Sequence, residues 1–541
     1  MQEFDVLVVG GGASGLRAAI AARRAGAEVA LISKVHPLRT NTGVAQGGLN
    51  APLGHEDSPE SFAEDTLLAG DGLCEPELVR ALTREASEEV IWLEHVGVPF
   101  NRDPDGRLDR RRFGASSHNR TCYADDRTGH IVLQVLHEQF QRAQIASFEE
   151  WYLTSLAVDA GTCLGAIGLG LRGGKLEAFG ARAIVLATGG FTRLYLPSTS
   201  SLGTTGDGAS LAFHAGARLM DLEMIQFHPT VIAKHPGLLI TEAVLGEGAE
   251  IVDAKGERIQ GTKGIPREKI CLSVQQAFQD GARPVCLDLR PIGKEKLLSR
   301  FPQTCELIRT VAGMDASKEA VPIHPAAHRP MGGIETSAQG ETSIAGLFAV
   351  GECASSGVNG AGRLAGNTLT EAMVFGRRVG EAAARYAAST PKRSFPMARL
   401  SDEEKRLAAL TSKEPSNDSS GKIHAELGKL MSEKVGLIRD QAGLRLALDR
   451  IQELKARYQK LRVANSSRIY NYQLTSHLEI GSLLCLAEIV ALSAQARRES
   501  RGAHRRADFP ARDDKNWQCH TLLSLVNGSP RLEQKPVRIP G

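Results

Sequence analysis

The sequence predicts an α/β protein with a parallel-sheet domain, an inserted α+β domain and a C-terminal helical domain. Residues 4–9 have the pattern of a buried strand, residues 15–25 of an alanine-rich helix and residues 28–33 of a second strand. Short mixed segments follow between about residues 226 and 335. From about residue 401 the chain becomes charged, with amphipathic helices expected at 424–498.

The first strand and the first helix are joined by a glycine-rich turn, Gly-Gly-Gly-Ala-Ser-Gly at residues 10–15. It fits the pattern G-x-G-x-x-G. Between a strand and a helix, this pattern is typical of a dinucleotide-binding site. Gly10 allows the tight turn, Gly12 lets a pyrophosphate approach the backbone, and Gly15 permits close helix–strand packing. Because a helix N-terminus attracts phosphate, Ala13 and Ser14 are also expected at a dinucleotide.

The end of the second strand differs from that of an NAD-binding domain, where an acidic residue usually binds the ribose. Here Ser33 and Lys34 stand at that place. Two later turns, Ala-Thr-Gly-Gly at 187–190 and Thr-Gly-Asp-Gly at 205–208, present small residues where backbone must approach a long dinucleotide. The sequence therefore favours FAD over NAD. The residues expected at the cofactor from these segments are Ser33, Lys34, Ala187, Thr188, Gly189 and Asp207.

Composition excludes several other classes of function. With 65 Lys and Arg against 62 Asp and Glu, the net charge of +3 argues against a nucleic-acid-binding protein. The nine cysteines form no CxxC pair, so we expect neither a disulfide framework nor a metal or iron–sulfur site.

No export signal is visible at the start of the chain. The longest apolar run, residues 482–494, contains Glu488 and is shorter than the roughly 20 residues that cross a membrane. We therefore expect a cytoplasmic protein. If it works at a membrane, partner proteins would attach it there. The tail after residue 500 is arginine-rich and is expected to be irregular, and residues 413–422 are expected to form a mobile polar link.

Six further segments carry a family resemblance. They are GVAQGG at 43–48, RTCY at 120–123, DRTGH at 126–130, QFHPT at 226–230, LDLR at 287–290 and ESRGAH at 499–504. In these segments, and over nearly its whole length, the chain resembles the flavoprotein subunit of succinate dehydrogenase and fumarate reductase. The same family includes L-aspartate oxidase.

The resemblance implies a domain plan. A Rossmann-like FAD-binding domain would comprise residues 1–225 and 336–395, and an α+β capping domain for the substrate would comprise residues 226–335. A helical domain at 396–505 and a C-terminal tail region at 506–541 would complete the chain.

The resemblance also implies that the protein interconverts succinate and fumarate. His228, Thr241, His328 and Arg363 would surround the dicarboxylate, because a diacid needs cations or hydrogen-bond donors at both ends. Fixing both ends would present the central carbon–carbon bond to the flavin. From the residues alone, each histidine would rather be assigned to the core.

Proton transfer is implied for Arg267, with Glu242 as its relay partner. Arg267 would act as the acid in fumarate reduction and as the base in succinate oxidation. From the residues alone Arg267 would be a surface or substrate-binding arginine, because a free guanidinium has a pKa above about 12.

Further cofactor contacts are implied by the resemblance. Glu352 would bind the ribose of FAD, and the helix opening at 367–369 would stabilise the flavin ring where reduction makes it negative. The contacts implied beyond those of the glycine turn are Asn41, Thr42, Gln46, Gly47, Gly48, Glu352, Arg363, Asn367, Thr368 and Leu369.

Several residues depart from the family pattern. Asn41 stands where most succinate and fumarate enzymes have the histidine bonded to the flavin, so we expect noncovalent FAD and a lower flavin potential. His36 is the alternative attachment residue. Leu245 replaces the usual outer arginine of the proton relay, Asn359 replaces a histidine, and Gly362 replaces an asparagine.

The resemblance implies an iron–sulfur partner subunit, a membrane anchor in a further subunit, and a peripheral position on the inner face of the cytoplasmic membrane, in electron transport and the tricarboxylic acid cycle. One basic cluster either docks that partner or forms a solvated face or internal salt bridges. Its members are Arg497, Arg498, Arg501, Arg505, Arg506 and Arg512.

Two alternatives remain open. An L-aspartate oxidase would fit Asn41 but not residues 287–325 and 512–517. A flavin-binding subunit with an altered relay and another role would fit Leu245.

Overall fold

The structure is a computed structural model that describes residues 1–235, 237–411 and 418–538. Its strands are β1 (Gln2–Val9), β2 (Val29–Ser33), β3 (Leu49–Asn50), β4 (Arg110–Arg111), β5 (Thr121–Cys122), β6 (Ala146–Glu149), β7 (Trp151–Asp159), β8 (Thr162–Gly170), β9 (Leu176–Leu186), β10 (Leu219–Met220), β11 (Ile225–Ile232), β12 (Glu250–Val252), β13 (Cys286–Asp288), β14 (Val321–Pro330), β15 (Gly333–Glu335), β16 (Leu347–Ala349), β17 (Ala354–Ser355), β18 (Cys519–Val526) and β19 (Ser529–Pro536).

Its α-helices are α1 (Ala13–Arg24), α2 (Pro59–Ala69), α3 (Pro76–His95), α4 (Thr128–Arg142), α5 (Asp207–His214), α6 (Ala243–Gly246), α7 (Arg267–Gln279), α8 (Lys294–Arg300), α9 (Pro302–Leu307), α10 (Asn367–Ser389), α11 (Ala398–Ala409), α12 (Ser420–Lys434), α13 (Gln441–Lys460), α14 (Tyr472–Ala496) and α15 (Asp514–Trp517). Residues 413–417 of the predicted polar link lie outside the described residues. Residues 420–422 form the start of α12, so the expectation of a mobile link is wrong there.

The main sheet runs in the order β6-β2-β1-β9-β8-β7, with β16 beside β9. β1 is parallel to both β2 and β9, with Val6 opposite Val29 and Leu7 opposite Ile184. The last four residues of β1 are fully buried because the sheet is covered on both faces. Helices α1 and α10 pack together on one of these faces. The predicted β-α-β unit is confirmed, as is the α/β fold class.

A separate antiparallel sheet, β11-β14-β13-β12, lies between residues 225 and 330 and packs with α6, α7 and α8 around its own apolar core. An antiparallel sheet packed with helices is an α+β arrangement, as predicted for the insertion. Register shifts in the β11–β14 pair fall after Gln226 and between His228 and Val231. The irregularity lies where side chains of the candidate site leave the strand.

Helix α14 differs from expectation. The apolar run at 482–494 is part of a 25-residue helix that is long and apolar enough to cross a membrane. However, 72% of an apolar 18-residue stretch of this helix is buried inside the protein. It packs against α5, α12 and α13. Its apolar side chains therefore form core contacts, in a helix longer than the apolar run indicated.

Residues 514–536 of the C-terminal tail form mostly regular secondary structure, so the expectation of an irregular tail is wrong for this part. β18 and β19 form a hairpin that joins a sheet of order β17-β15-β10-β18-β19, with Leu219 opposite Leu523. Asn527 and Gly528 at its tip have φ values of 50° and 78°. An Asn-Gly pair is a strong sequence signal for such a turn, so this hairpin could have been predicted from the sequence.

Candidate active site

A cavity of about 490 Å³ connects the glycine-rich turn with the inserted domain. Its walls come from the carboxyl ends of β1, β2 and β9, from β11 and β14, and from the first turn of α10. Ligands of open α/β sheets bind at the carboxyl ends of the strands. The predicted cofactor and substrate residues therefore meet in one continuous space.

The glycine turn is shaped by close packing at its two outer glycines. Gly10 has a φ of +117°, and a Cβ there would lie 2.1 Å from the Ala187 carbonyl oxygen. A Cβ on Gly15 would lie 1.9 Å from the Gly10 carbonyl oxygen. Gly12 and Ser14 line the cavity, whereas Gly15 supports the turn from behind. The N-cap residue Gly12 offers no side-chain cap. Thr42 Oγ1 accepts from the Ala13 N–H, and the other free N–H groups at the helix start are suited to bind a phosphate.

Several buried polar atoms along the cavity have no hydrogen-bond partner in the described part of the chain, and three of them are Gln46 Oε1, Thr188 Oγ1 and Glu352 Oε1. Burial raises the pKa of Glu352, although Arg329 and Arg363 oppose the rise. Buried polar atoms without partners are costly unless a ligand satisfies them. A dinucleotide with hydroxyl and phosphate groups fits this set, so the residues present fit FAD.

Lys34 is held at the cavity by two carboxylates. Its Nζ donates to Asp207 Oδ2 and to Glu479 Oε1, each at 2.7 Å, and to Thr205 Oγ1 at 2.9 Å. Lys34 and Asp207 were predicted at the cofactor. Glu479 comes from α14, and no motif marked it.

Asn41 lines the cavity, and its Oδ1 accepts from the Ser201 backbone N–H at 2.9 Å. His36 does not line the cavity. Its Nε2 lies 3.7 Å from Glu149 Oε2 and its ring centroid lies 5.2 Å from that of His137. The structure therefore does not place the alternative attachment residue beside the cofactor site.

These three side chains, His36, His137 and Glu149, bring possible ligand atoms within 4.8 Å of one another. The expectation of a metal-free chain thus stays a prediction. All nine cysteines are free.

At the inserted domain, two buried arginines share one acceptor. Arg267 Nη1 and Arg363 Nη2 each donate to Gln226 Oε1 at 2.8 Å. Arg267 Nε also donates to Glu242 Oε2 at 2.6 Å. The Gln226 amide N–H donates to Glu268 Oε1 at 2.6 Å, which fixes the orientation of the amide. Gln226 is the first residue of the QFHPT segment and was not predicted as a site residue.

Arg363 carries no carboxylate partner in the described residues; its hydrogen bonds go to Gln226 and to the Leu364 carbonyl oxygen, and Nε is unpaired. Burial and the nearby Arg267 and Arg329 lower the pKa of Arg363. An anion in the cavity would relieve both effects. Arg363 is thus arranged to receive a carboxylate.

Two neutral histidines complete this end of the cavity. Burial lowers the pKa of His228 to about 3 and lowers the pKa of His328 as well. Their rings lie 5.0 Å apart at 70°. His328 Nδ1 lies 2.8 Å from Thr199 Oγ1, and His228 Nδ1 lies 3.3 Å from Thr230 Oγ1. Both can therefore act as uncharged hydrogen-bonding groups.

All the predicted substrate and catalytic residues line the cavity, and so do most of the predicted cofactor residues. Ala13, Gly15 and Asn367 do not. The Ala13 N–H donates to Thr42 Oγ1 at 3.1 Å, and Asn367 bonds to Asn50 at 2.8 Å. Lining residues that no motif marked include Arg39, Phe113, Tyr152, Thr199, Ser201, Leu202 and Arg329.

Besides Asn41, three residues depart from the family pattern, and the structure shows the surroundings of each. Leu245, in α6, packs against the core of the insertion and borders a small cavity of about 40 Å³ beside Glu242 and Arg267. Asn359 Nδ2 donates to Glu371 Oε2 at 3.0 Å. A Cβ on Gly362 would lie 2.5 Å from the Ala69 carbonyl oxygen, so a larger residue does not fit this backbone.

The basic cluster near residue 500 is mostly internal. Arg497, Arg501 and Arg506 are buried. Arg497 pairs with Glu223 at 2.7 Å, Arg501 with Glu499 at 2.7 Å and Arg506 with Asp508 at 2.8 Å. The salt-bridge interpretation is correct for these three arginines, and they are not available to a partner. Arg498 and Arg512 are exposed, and Arg505 is half-buried.

Comparison with known proteins agrees with this geometry. The family described as FAD binding domain matches residues 5–369, and the family described as fumarate reductase flavoprotein C-term matches residues 424–540.

The fumarate reductase flavoprotein subunit of Haemophilus influenzae is 39% identical, over 99% of this chain and 94% of that protein. The succinate dehydrogenase flavoprotein subunit of Rickettsia bellii is 35% identical, over 99% and 96%. A quinol fumarate reductase structure from Escherichia coli superposes with a TM-score of 0.95 at 37% identity, over 100% of this chain and 98% of that one. The chain therefore belongs to the fumarate reductase and succinate dehydrogenase flavoprotein subunit family.

Proposed function

We propose that this FAD-dependent oxidoreductase interconverts succinate and fumarate, and that Arg267 transfers the proton. The observation that carries the proposal is the buried ion pair of Arg267 with Glu242 in a cavity continuous with the cofactor site, beside Arg363, which has no carboxylate partner among the described residues. Named relatives are fumarate reductases and succinate dehydrogenases, which supports the same chemistry.

A four-carbon diacid suits the charges at this end of the cavity. Arg363 offers a guanidinium whose planar fork matches a carboxylate. The neutral His228 and His328 and the Thr241 hydroxyl add hydrogen-bonding groups without further charge. Holding the diacid by its carboxylates would fix its central carbons relative to Arg267.

Bound FAD would supply the hydride for fumarate reduction and accept one in succinate oxidation. In the reducing direction Arg267 would give a proton to the neighbouring carbon, and Glu242 would return one to Arg267. Burial alone would lower the pKa of Arg267, but Glu242 raises it. Arg267 therefore rests protonated, ready for the reducing direction.

FAD would be held noncovalently, because Asn41 offers the flavin an amide rather than an imidazole nitrogen. The cofactor would instead be retained by the glycine turn, by the unpaired Thr188 and Glu352 atoms, and by the first turn of α10. Gln46, Gly47 and Gly48 would border the same space.

The chain would pass electrons to or from an iron–sulfur subunit, with a further subunit anchoring the complex to the inner face of the cytoplasmic membrane. The similar proteins are named as subunits, and the similar solved structures include quinol–fumarate reductases. The buried Arg497, Arg501 and Arg506 would support the fold rather than contact that partner.

The two alternatives are less well supported. The matched C-terminal family and the named relatives above do not favour an L-aspartate oxidase. The retained ion pair of Arg267 and Glu242 does not favour a subunit whose relay has decayed.

A side-by-side assay tests the proposal. Purified protein with FAD is given fumarate with a reduced dye, succinate with an oxidised dye, and L-aspartate with oxygen-uptake recording. We expect turnover of the first two, and its loss in Arg267→Ala with FAD still bound. Oxygen uptake with L-aspartate and no turnover of fumarate or succinate would overturn the proposal.

A further inference from the structure

Arg329 is a buried cation of the cavity wall that the proposed mechanism does not use. It lies on β14 and is 4% exposed. Its Nη2 donates to Glu371 Oε2 at 2.7 Å. Among the described residues its Nε and Nη1 have no partner, although Arg329 lines the cavity. A buried guanidinium with two free donors is costly unless a ligand accepts from them.

The orientation of Arg329 is fixed by a small cluster. Glu371 Oε2 also accepts from Asn359 Nδ2 at 3.0 Å, so two donors hold one carboxylate oxygen. Asn359 is one of the residues that depart from the family pattern. Because its amide is neutral, Arg329 is the charged one of these two donors to Glu371. The cluster therefore holds the guanidinium in place without further neutralising it.

The position of Arg329 favours the cofactor over the substrate. Glu371 belongs to α10, whose Thr368 and Leu369 line the cavity. The positive charge of Arg329 also opposes the rise in the pKa of Glu352, the carboxylate assigned to the ribose. The substrate end is served by different arginines, which share Gln226.

We propose that Arg329 contacts the flavin and binds its reduced, more negative form more tightly than its oxidised form. The inference rests on the proposed FAD site. The charge would raise the potential of the bound cofactor and so offset the lower potential expected without a covalent bond. A cation in a water-excluded wall acts strongly on a charge that develops beside it.

The test measures the flavin and not the turnover. The midpoint potential of bound FAD is recorded by spectroelectrochemistry without substrate, and FAD affinity is measured separately on the apoprotein. In Arg329→Met the preference for reduced over oxidised FAD should fall at least tenfold, which lowers a two-electron potential by about 30 mV. In Arg329→Lys the midpoint potential should lie between those of wild type and Arg329→Met. The surface variant Arg258→Met is the control.

A second variant covers the case in which Arg329→Met fails to hold flavin. Glu371→Gln keeps the arginine but removes its counter-charge, so the potential should rise. Unchanged potentials in Arg329→Lys and Glu371→Gln, with FAD bound, would overturn the proposal. A change confined to the KM for fumarate would also overturn it and would assign Arg329 to the substrate. Failure of wild type to bind FAD would instead refute the proposed function.

Discussion

Arg267 donates from Nε to Oε2 of Glu242 across 2.6 Å, with both side chains buried. Burial alone would raise the pKa of Glu242, but Arg267 lowers it below its usual value. The pair is therefore ionised. No described residue hydrogen-bonds to the second carboxylate oxygen, Oε1, which leaves Glu242 an atom with which to take up a proton.

Replacing Arg267 by alanine should lower kcat for fumarate reduction by about 10³-fold or more, because the proton donor is lost. Bound flavin, read from its visible spectrum, should be unchanged. Arg258→Ala, at an exposed pair with Glu250 in the same insertion, should keep wild-type kcat. Retained turnover in Arg267→Ala would remove Arg267 from proton transfer.

Leu245→Arg should raise kcat for fumarate several-fold and reduce the solvent isotope effect. Leu245 borders the small cavity beside Glu242 and Arg267, and an arginine there would supply a proton donor to Glu242. Leu245→Met is the matched control, because it keeps the size and polarity. An isotope effect equal in all three proteins would show that proton delivery does not pass position 245.

Acid precipitation should release the flavin into the supernatant and leave a colourless pellet, because Asn41 provides no imidazole. Absorbance at the flavin maximum of both fractions measures this. In Asn41→His part of the flavin should stay with the pellet, whereas Asn41→Gln should release all of it. Flavin that remains with the wild-type pellet would contradict the noncovalent site.

His520 should make the protein less stable as pH rises from about 6.5 to about 9. Burial alone would lower its pKa, but Asp221 and Glu75 raise it to about 9. A raised folded pKa favours the protonated form, so the stabilisation is complete below the unfolded value near 6.5 and lost above the folded one. The difference corresponds to about 3 kcal/mol.

Thermal unfolding of wild type and His520→Gln across this pH window measures that contribution. The variant should be less stable at pH 6 and show a smaller change up to pH 9. The exposed His55→Gln should behave as wild type. Parallel curves for wild type and His520→Gln would show that His520 does not carry the pH dependence.

The parallel-sheet part of the fold was predictable because its signals are local. An apolar run, a glycine turn and an alanine-rich helix follow each other directly, and β1, α1 and β2 lie within two residues of their predicted bounds. The C-terminal hairpin was missed although Asn527 and Gly528 signalled it. Its second strand is largely exposed and contains prolines at Pro530 and Pro536, so it lacks an apolar pattern.

The site was predictable as a set of side chains but not as a network. Most of the predicted site residues line the cavity, whereas several of their hydrogen-bond partners come from distant segments. Lys34 and Glu479 are 445 residues apart in sequence, and Arg329 and Glu371 are 42 apart. Such pairs depend on how whole elements pack, which no local pattern encodes.

The sheet that β18 completes has a consequence for biosynthesis. The Thr521 N–H donates to Asp221 Oδ1 across 300 residues of sequence, and β10 pairs with β18. A ribosome-bound chain that has emerged only as far as the helical region must therefore hold β10 with one edge open. Unpaired strand edges are sites of aggregation, so this edge becomes protected only when β18 has left the ribosome and can pair with β10.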